Sequence, residues 1–235
     1  MKIAVMQPYI FPYIGYFQLI KAVDKFIFYD DVNYIKGGWI NRNNILINKN
    51  KSLFTIPLDK ASPFITINET NINLKIFREW RLKFLKTMEQ SYKKAPYYSQ
   101  TYSIIVKILN QDVEKISQLA INSIVEISNF LNIKTEFELS SESYPLTNKI
   151  DRVERLLDIC KKNNALDYIN PIGGIELYTK EDFIKADIRL HFIKSMPIKY
   201  LQFGNEFIEW LSIIDVLMFN SPEKINIMLD DYFLL

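Results

Sequence analysis

The sequence of 235 residues holds one cysteine, one histidine and only six glycines. A single cysteine, Cys160, excludes an internal disulfide, and one His beside one Cys excludes a zinc site built from those ligands. Cysteine used this sparingly fits a reducing compartment, so the cytoplasm is the expected location. The chain starts Met1-Lys2-Ile3-Ala4-Val5 and runs straight into Gln7-Pro8, without the long apolar stretch of a leader. No 18 apolar residues run together, so no membrane span is expected. Charge of one sign is also lacking: 29 Lys and Arg against 27 Asp and Glu leave +2, which gives no general affinity for nucleic acid.

What is present is a globular composition, 49% hydrophobic and 24% charged, with 14% aromatic residues. The charge is uneven. Residues 1–110 carry 16 Lys and Arg against 7 Asp and Glu, and residues 111–235 carry 13 against 20. Either the halves neutralise each other by packing, or the basic half forms a site for an anionic ligand such as a phosphate, a nucleotide or an acidic carrier protein.

Hydrophobic periodicity predicts alternating strands and helices. A strand at 2–7, a helix at 14–23 and a strand at 25–29 form a βαβ unit, which implies parallel pairing. Residues 45–47 and 53–56 flank Asn48-Lys49-Asn50 as a hairpin, and 65–67 fit one more short strand. Helices are expected at 76–91, 97–109 and 113–131, the last capped by Asp112. A strand at 135–139, a helix from Ile150 to Lys162, strands at 168–170 and 188–193, a helical turn at 181–185 and a helix at 222–232 complete the pattern. The expected fold is α/β, a Rossmann-like and mainly parallel sheet with a β-hairpin. One domain is expected over 1–235, with a helical insertion at about 75–131.

The special residues gather after strands, where open parallel sheets bind ligands. The first junction, Gln7-Pro8-Tyr9-Ile10-Phe11-Pro12-Tyr13-Ile14-Gly15-Tyr16, has four aromatics and two prolines. Gly15 is either a turn residue or the place where a helix starts close to a bound phosphate or sugar. The second junction holds Asp30, Asp31, Lys36, Gly37, Gly38, Trp39, Asn41, Arg42 and Asn43. Its carboxylates are candidate general bases, one of which could instead cap the next element. As neighbours on a strand end they are expected on opposite faces. Lys36 and Arg42 suit a phosphate or carboxylate. A third junction, Asn170-Pro171-Ile172-Gly173-Gly174, could meet sugar hydroxyls or form a plain turn. His191 is a candidate base or a satisfied strand residue. Cys160, on the apolar stripe of its helix, is expected to be buried and inert rather than a nucleophile served by His191. Asp215, one turn from Ser212 in an apolar helix, needs a buried partner, which the N-terminal loops could supply.

Seven ordered strings then resemble the WbqC-like family. They are Gln7-Pro8-x-x-Phe11-Pro12-x-x-Gly15-Tyr16-Phe17, Asp30-Asp31-Val32, Trp39-x-Asn41-Arg42-Asn43, Tyr92-x-x-Ala95-Pro96-Tyr97, Tyr168-Ile169-Asn170-x-x-Gly173-Gly174, Tyr200-x-Gln202-Phe203 and Leu211-Ser212-Ile213-Ile214-Asp215. The resemblance implies a role in bacterial surface-polysaccharide (O-antigen) biosynthesis, with a nucleotide-linked amino sugar as substrate and N-acyl or N-aminoacyl transfer as the reaction. No tightly bound cofactor or metal is expected; the donor would be a thioester on coenzyme A or a phosphopantetheine carrier protein. Catalytic roles are expected for Asp30, Asp31 and His191. Substrate contacts are expected from Gln7, Tyr9, Tyr16, Lys36, Trp39, Asn41, Arg42, Asn43, Asn170, Gly173, Gly174, Gln202 and Asp215, with N–H groups near the Gly pairs facing an oxyanion. Tyr13-Ile14-Gly15-Tyr16 also stands where nucleotidylyltransferases and class I aminoacyl-tRNA synthetases place H-x-G-H, with Tyr at both His positions. That similarity implies nucleotidyl transfer as an alternative. A sugar-binding or assembly subunit is the non-enzymatic alternative.

Overall fold

The structure, a computed structural model, describes residues 1–145, 151–204 and 206–235. Ile150, expected to open a helix, lies outside the described residues.

The βαβ unit forms as expected: β1 (Lys2–Met6), α1 (Ile14–Lys21) and β2 (Lys25–Phe28), with β1 and β2 parallel. Ile3, Ala4 and Val5 are all buried, because helices cover both faces of a central parallel strand. A β-hairpin follows, β3 (Arg42–Ile47) and β4 (Asn50–Thr55). Its two-residue turn, Asn48-Lys49, has both residues left-handed, at φ of 50° and 62°, and this brings β4 in earlier than expected. A short ribbon, β5 (Leu58–Asp59) and β6 (Asn71–Ile72), leads into α2 (Leu74–Tyr92), α3 (Tyr98–Leu109) and α4 (Ile116–Phe130).

Two local expectations are corrected here. Residues 65–67 form no strand: Thr66 makes one isolated bridge to Asn33. Asp112 does not cap α4, because residues 113–115 lie extended alongside β6. Ile72 N–H donates to Glu114 O at 2.8 Å and Ile116 N–H to Thr70 O at 3.1 Å, so the helix starts three residues late.

The chain then adds β7 (Glu136–Leu139), α5 (Ser140–Ser143), α6 (Arg152–Lys162), β8 (Asp167–Pro171), a 3-10 turn at Ile172–Gly174, α7 (Lys180–Ile184) and β9 (Arg189–Ser195). The helices α8 (Ile213–Phe219) and α9 (Pro222–Met228) precede β10 (Tyr232–Leu234). The expected helix to 232 therefore ends early. Residues 232–234 pair antiparallel with β9 instead.

The main sheet runs β10-β9-β8-β1-β2-β7, five strands parallel and β10 antiparallel. Counting only its own strands, that is the doubly wound order 3-2-1-4-5-6. The winding direction reverses between β1 and β8, so the carboxyl ends of those strands border the crevice where such sheets take ligands.

Each face has its own core. One holds Ala4, Phe17, Phe26, Phe28, Ile169, Ile193 and the buried stripes of α2, α3, α4 and α8. The other holds Ile3, Val5, Ile27, Tyr168, Leu190 and Phe192 against Leu156, Ile159 and Cys160 of α6 and Phe183 of α7. The two halves of the chain also meet through charge. Lys21 pairs with Asp230 at 2.8 Å, Lys107 with Glu126 at 2.6 Å, and Lys25 with Glu138. This is the mutual neutralisation that the uneven charge allowed.

Cys160 is fully buried, and burial pushes its thiol up to about 12. His191 lies on the other face of the sheet from Leu190 and Phe192, which share the Cys160 core, so the two cannot form a nucleophile–base pair. Cys160→Ala should cost about 1 kcal/mol of stability. The native protein should leave Ellman's reagent unreacted until urea unfolds it. Rapid native labelling would contradict this placement.

Candidate functional site

The loop after β1 is held almost without freedom. Phe11 is buried with φ of 42°, a left-handed conformation that costs a bulky residue about 1–3 kcal/mol. Side chains fix it there. Its N–H donates to Ser123 Oγ at 3.2 Å, and its carbonyl accepts from Ser212 Oγ at 2.7 Å and Asn43 Nδ2 at 2.8 Å. Ser212 also caps α8 by accepting from Ile214 N–H, and Ile213 N–H donates to Pro12 O. Asn41 bridges Tyr34 Oη and Ile56 O at 2.8 Å each. Asn41 and Asn43, expected to bind substrate, are thus buried braces of the loop and hairpin.

Gly15 opens α1 with no capping side chain on Tyr13. A methyl group here would collide with the Tyr13 ring and Ser195 Oγ, so the space over Gly15 is filled by the protein itself and not left for a phosphate. Tyr16 is buried, and its hydroxyl donates to Gln7 O at 2.8 Å. Tyr9 packs on Tyr16 at 5.6 Å, and burial pushes its phenol up to about 12.

The two carboxylates after β2 do not diverge as expected, because the strand ends at Phe28 and its alternation ends with it. Both reach Ser140: its Oγ lies 3.1 Å from Asp30 Oδ1 and 2.5 Å from Asp31 Oδ1. Asp30, 2% exposed, also takes Ser141 N–H at 3.0 Å and Ser141 Oγ at 2.7 Å, and so closes the start of α5. Asp31 pairs with Arg155 at 2.5 Å, and that guanidinium stacks 4.7 Å above Tyr29. These bonds leave neither carboxylate placed as a general base.

Arg42 does not reach Asp30 or Asp31. Its Nε donates to Gly38 O at 3.0 Å and its Nη2 to Gly37 O, with the guanidinium over Trp39 at 5.7 Å. It therefore closes its own loop, which leaves Lys36 and Trp39 exposed. Gly38 N–H is given to Ile35 O, so it faces no oxyanion. Across the crevice, buried Asn170 accepts from Tyr168 Oη at 3.3 Å and donates to Pro171 O at 3.1 Å. Its amide fills the space beside Gly174 that a side chain would need, while Gly173 faces open space.

His191 is far from these loops in the fold. It bonds Asp167 Oδ1 at 2.8 Å, and Asp167 opens β8 at the amino end of the sheet, opposite the ligand-binding edge. Arg189 holds the same carboxylate through Nε at 2.8 Å and Nη2 at 2.7 Å. The expected catalytic roles of Asp30, Asp31 and His191 are thus not supported by where their polar atoms go.

Sequence reading missed one cavity. A cleft of about 470 Å³ opens beyond the end of β9, between the start of α1 and the 17-residue strap of residues 196–212. Leu211, Val216 and Tyr200 line it from the buried side, while Trp210, Lys194, Glu209 and Phe233 stand at its exposed rim. Lys194 is the only cation and Glu209 the only carboxylate among the described lining residues. A long strap whose described residues carry no secondary structure was itself a signal, since such loops are usually functional.

The strap hangs on Asp215. This fully buried carboxylate accepts from Tyr92 Oη at 2.8 Å through Oδ1, and from Tyr200 Oη and Gln202 Nε2 at 2.7 Å each through Oδ2. Burial raises its pKa against the pull of those three donors. Gln202 also brackets Ile208, accepting from its N–H at 2.8 Å and donating to its carbonyl at 3.2 Å. Tyr92 Oη in turn accepts from Leu46 N–H at 2.7 Å. The partners of Asp215 are therefore α2 and the strap, not the N-terminal loops.

A model of the WbqC-like protein family matches residues 7–227. The chain belongs to that family. An uncharacterised protein of Mycobacterium tuberculosis, Rv1507c, is 28% identical over 219 residues, with 92% of each chain covered. No solved structure matches. Three separate family strings supply Tyr92, Gln202 and Asp215 to one buried network. Two others supply Phe11 and Asn43 to a second network, which Ser212 of the Asp215 string completes. Much of that resemblance thus falls on residues that brace the cleft wall and the first loop.

Tyr200→Phe should cost about 1–3 kcal/mol in urea unfolding, because it removes a donor from a buried carboxylate. Tyr92→Phe should cost more, since it also orphans the Leu46 N–H. The reverse order would mean that the Leu46 N–H does not depend on Tyr92.

The Asp167 cluster predicts a pH effect. Burial pushes this carboxyl up, but bonds from Arg189 and His191 outweigh it and hold it below the usual value. A depressed folded value adds stability above the unfolded value of about 3.9, and the gain is lost as pH falls through the folded one. The stability gap between wild type and Asp167→Asn should be constant above about pH 5 and close in stronger acid. A gap that widens on acidification would refute the assignment.

Proposed function

We propose that this protein tailors a nucleotide-linked amino sugar for surface-polysaccharide assembly, transferring an acyl or aminoacyl group from a thioester to the sugar's amino group. The observation that carries this reading is the cleft, a pocket with an apolar buried side and a polar rim beside the uncapped start of α1. Its buried side suits the acyl group and arm of a coenzyme A or carrier-protein thioester. Lys194, the cation at its rim, suits a phosphate of the nucleotide. Glu209 takes the base role that Asp30 and Asp31 cannot fill. The amine nitrogen attacks the thioester carbonyl carbon, a C–N bond forms, the C–S bond breaks and the thiol departs. The proton lost by the ammonium passes to Glu209 and on to the leaving thiolate.

A non-catalytic sugar-binding role is the second reading. It is favoured by the commitment of Asp30, Asp31 and His191 to structural bonds. Nucleotidyl transfer has less support, because the Tyr16 hydroxyl is buried and spent on Gln7 O.

One assay separates the three. The protein is incubated with acetyl, hydroxybutyryl and glycyl thioesters of coenzyme A and with nucleotide-linked 2-, 3- and 4-amino hexoses. Thiol release and the mass of the sugar product are followed. Transfer predicts thiol release that Glu209→Gln slows by about 10²–10⁴-fold in kcat with KM little changed. Binding without thiol release favours the sugar-binding subunit, and pyrophosphate release favours nucleotidyl transfer.

A further inference from the structure

Among the described residues, eight other than glycine have positive φ, and only two of these are aromatic: Phe11 and Trp210. The other six are Asn, Asp or Lys, which tolerate turn and helix-end positions more readily. Phe11 is explained by its clamp and its burial. Trp210 is not. Its φ is 61°, its side chain is 66% exposed, and it contributes little buried surface to offset that backbone.

The conformation is imposed from both sides. Before it, Lys51 Nζ reaches Glu209 O at 3.4 Å. After it, Ser212 N–H donates to Asn44 O at 2.8 Å. The chain is thus bent to set an indole at the cleft rim. There it faces Tyr13, with ring centroids 6.0 Å apart and planes at 54°. Tyr13 is itself fixed by lying over Gly15, where no side chain fits. Two aromatic rings are held at the mouth by two separate backbone constraints, Tyr13 half-buried at the edge of the core and Trp210 mostly exposed.

We infer that Trp210 and Tyr13 form a ring-binding subsite at the cleft mouth, which takes the apolar face of a pyranose. Aromatic faces gain contact area there at low entropic cost, and strained backbone gathers where ligands bind. The choice of a sugar ring rests on the proposed transfer to an amino sugar. With the pyranose on Trp210, its amino group comes next to Glu209, the adjoining residue on the same rim. Trp210 is then a residue that sets acceptor specificity, separate from the apolar buried side that receives the acyl group.

Two measurements test this. The first needs no ligand. Trp210→Gly removes an exposed ring and frees the left-handed backbone, so the thermal midpoint should rise by about 2–4 °C for each kcal/mol of strain released. A lowered midpoint would assign Trp210 to the scaffold and overturn the subsite. The second is calorimetric titration with UDP-N-acetylglucosamine, methyl N-acetylglucosaminide and UDP alone. Trp210→Gly should weaken both sugar probes at least tenfold and leave UDP unchanged, with Trp210→Phe intermediate. Equal loss for UDP would put the nucleobase on Trp210 instead. Unchanged affinities, or no binding of either sugar by the wild type, would also overturn the subsite. Sugar binding through Trp210 without thiol release would retain it while removing acyl transfer.

Discussion

The carbonyl of Phe11 is the point on which the carboxyl edge of the sheet depends. It accepts from Ser212 at the start of α8 and from Asn43 in the hairpin, while Ser123 of α4 takes the N–H of the same residue. Four segments far apart in sequence are thereby fixed around one strained residue. A left-handed Phe is tolerated only because its ring is fully buried and both backbone groups have partners. From this knot α1 starts at a fixed angle, Tyr13 is presented and one wall of the cleft is set.

The opposite wall obeys a different constraint. The described residues of 196–212 lack regular structure and cannot satisfy their backbone by a ladder, so side chains do it for them. Gln202 imitates a strand partner for Ile208, and the Asp215 carboxylate gathers Tyr92, Tyr200 and Gln202. A buried carboxylate with three donors is costly to assemble and costlier to leave half satisfied. The arrangement therefore favours one position of the strap over many. On the far side of α1, Gln18 does related work, donating to Met228 O and Asp231 O and accepting from Ser195.

The sheet could be read from the sequence because its elements state their own period. Ile3-Ala4-Val5 and Phe26-Ile27-Phe28 are short apolar runs, and α6 carries a clear stripe through Leu156, Ile159 and Cys160. β10 and the delayed start of α4 could not be read. Both are decided by a neighbouring strand, and local propensity carries no trace of the pairing. The site was half legible. Junctions after strands could be located, yet residue type did not reveal how each side chain is used. Asp30, Asp31, Asn41, Asn43 and Arg42 have the chemistry of catalysis and the same chemistry serves capping and bracing. Only geometry separates the two uses.

The polar residues near the strand ends are mostly occupied, and that occupation bears on specificity. A site lined by spent donors and acceptors cannot discriminate ligands through them; discrimination passes to what remains open. Around the cleft these are the aromatic faces of Trp210 and Tyr13, the rim charges Lys194 and Glu209, and the apolar side formed by Leu211 and Val216. Apolar contacts distinguish substrates weakly, by roughly 1–3 kcal/mol per methylene. A cleft built this way would tolerate variation against its apolar side and discriminate by ring and charge. The division follows from where hydrogen bonds have already been spent, because a rigid wall made by buried polar networks leaves few polar groups with which to read the ligand.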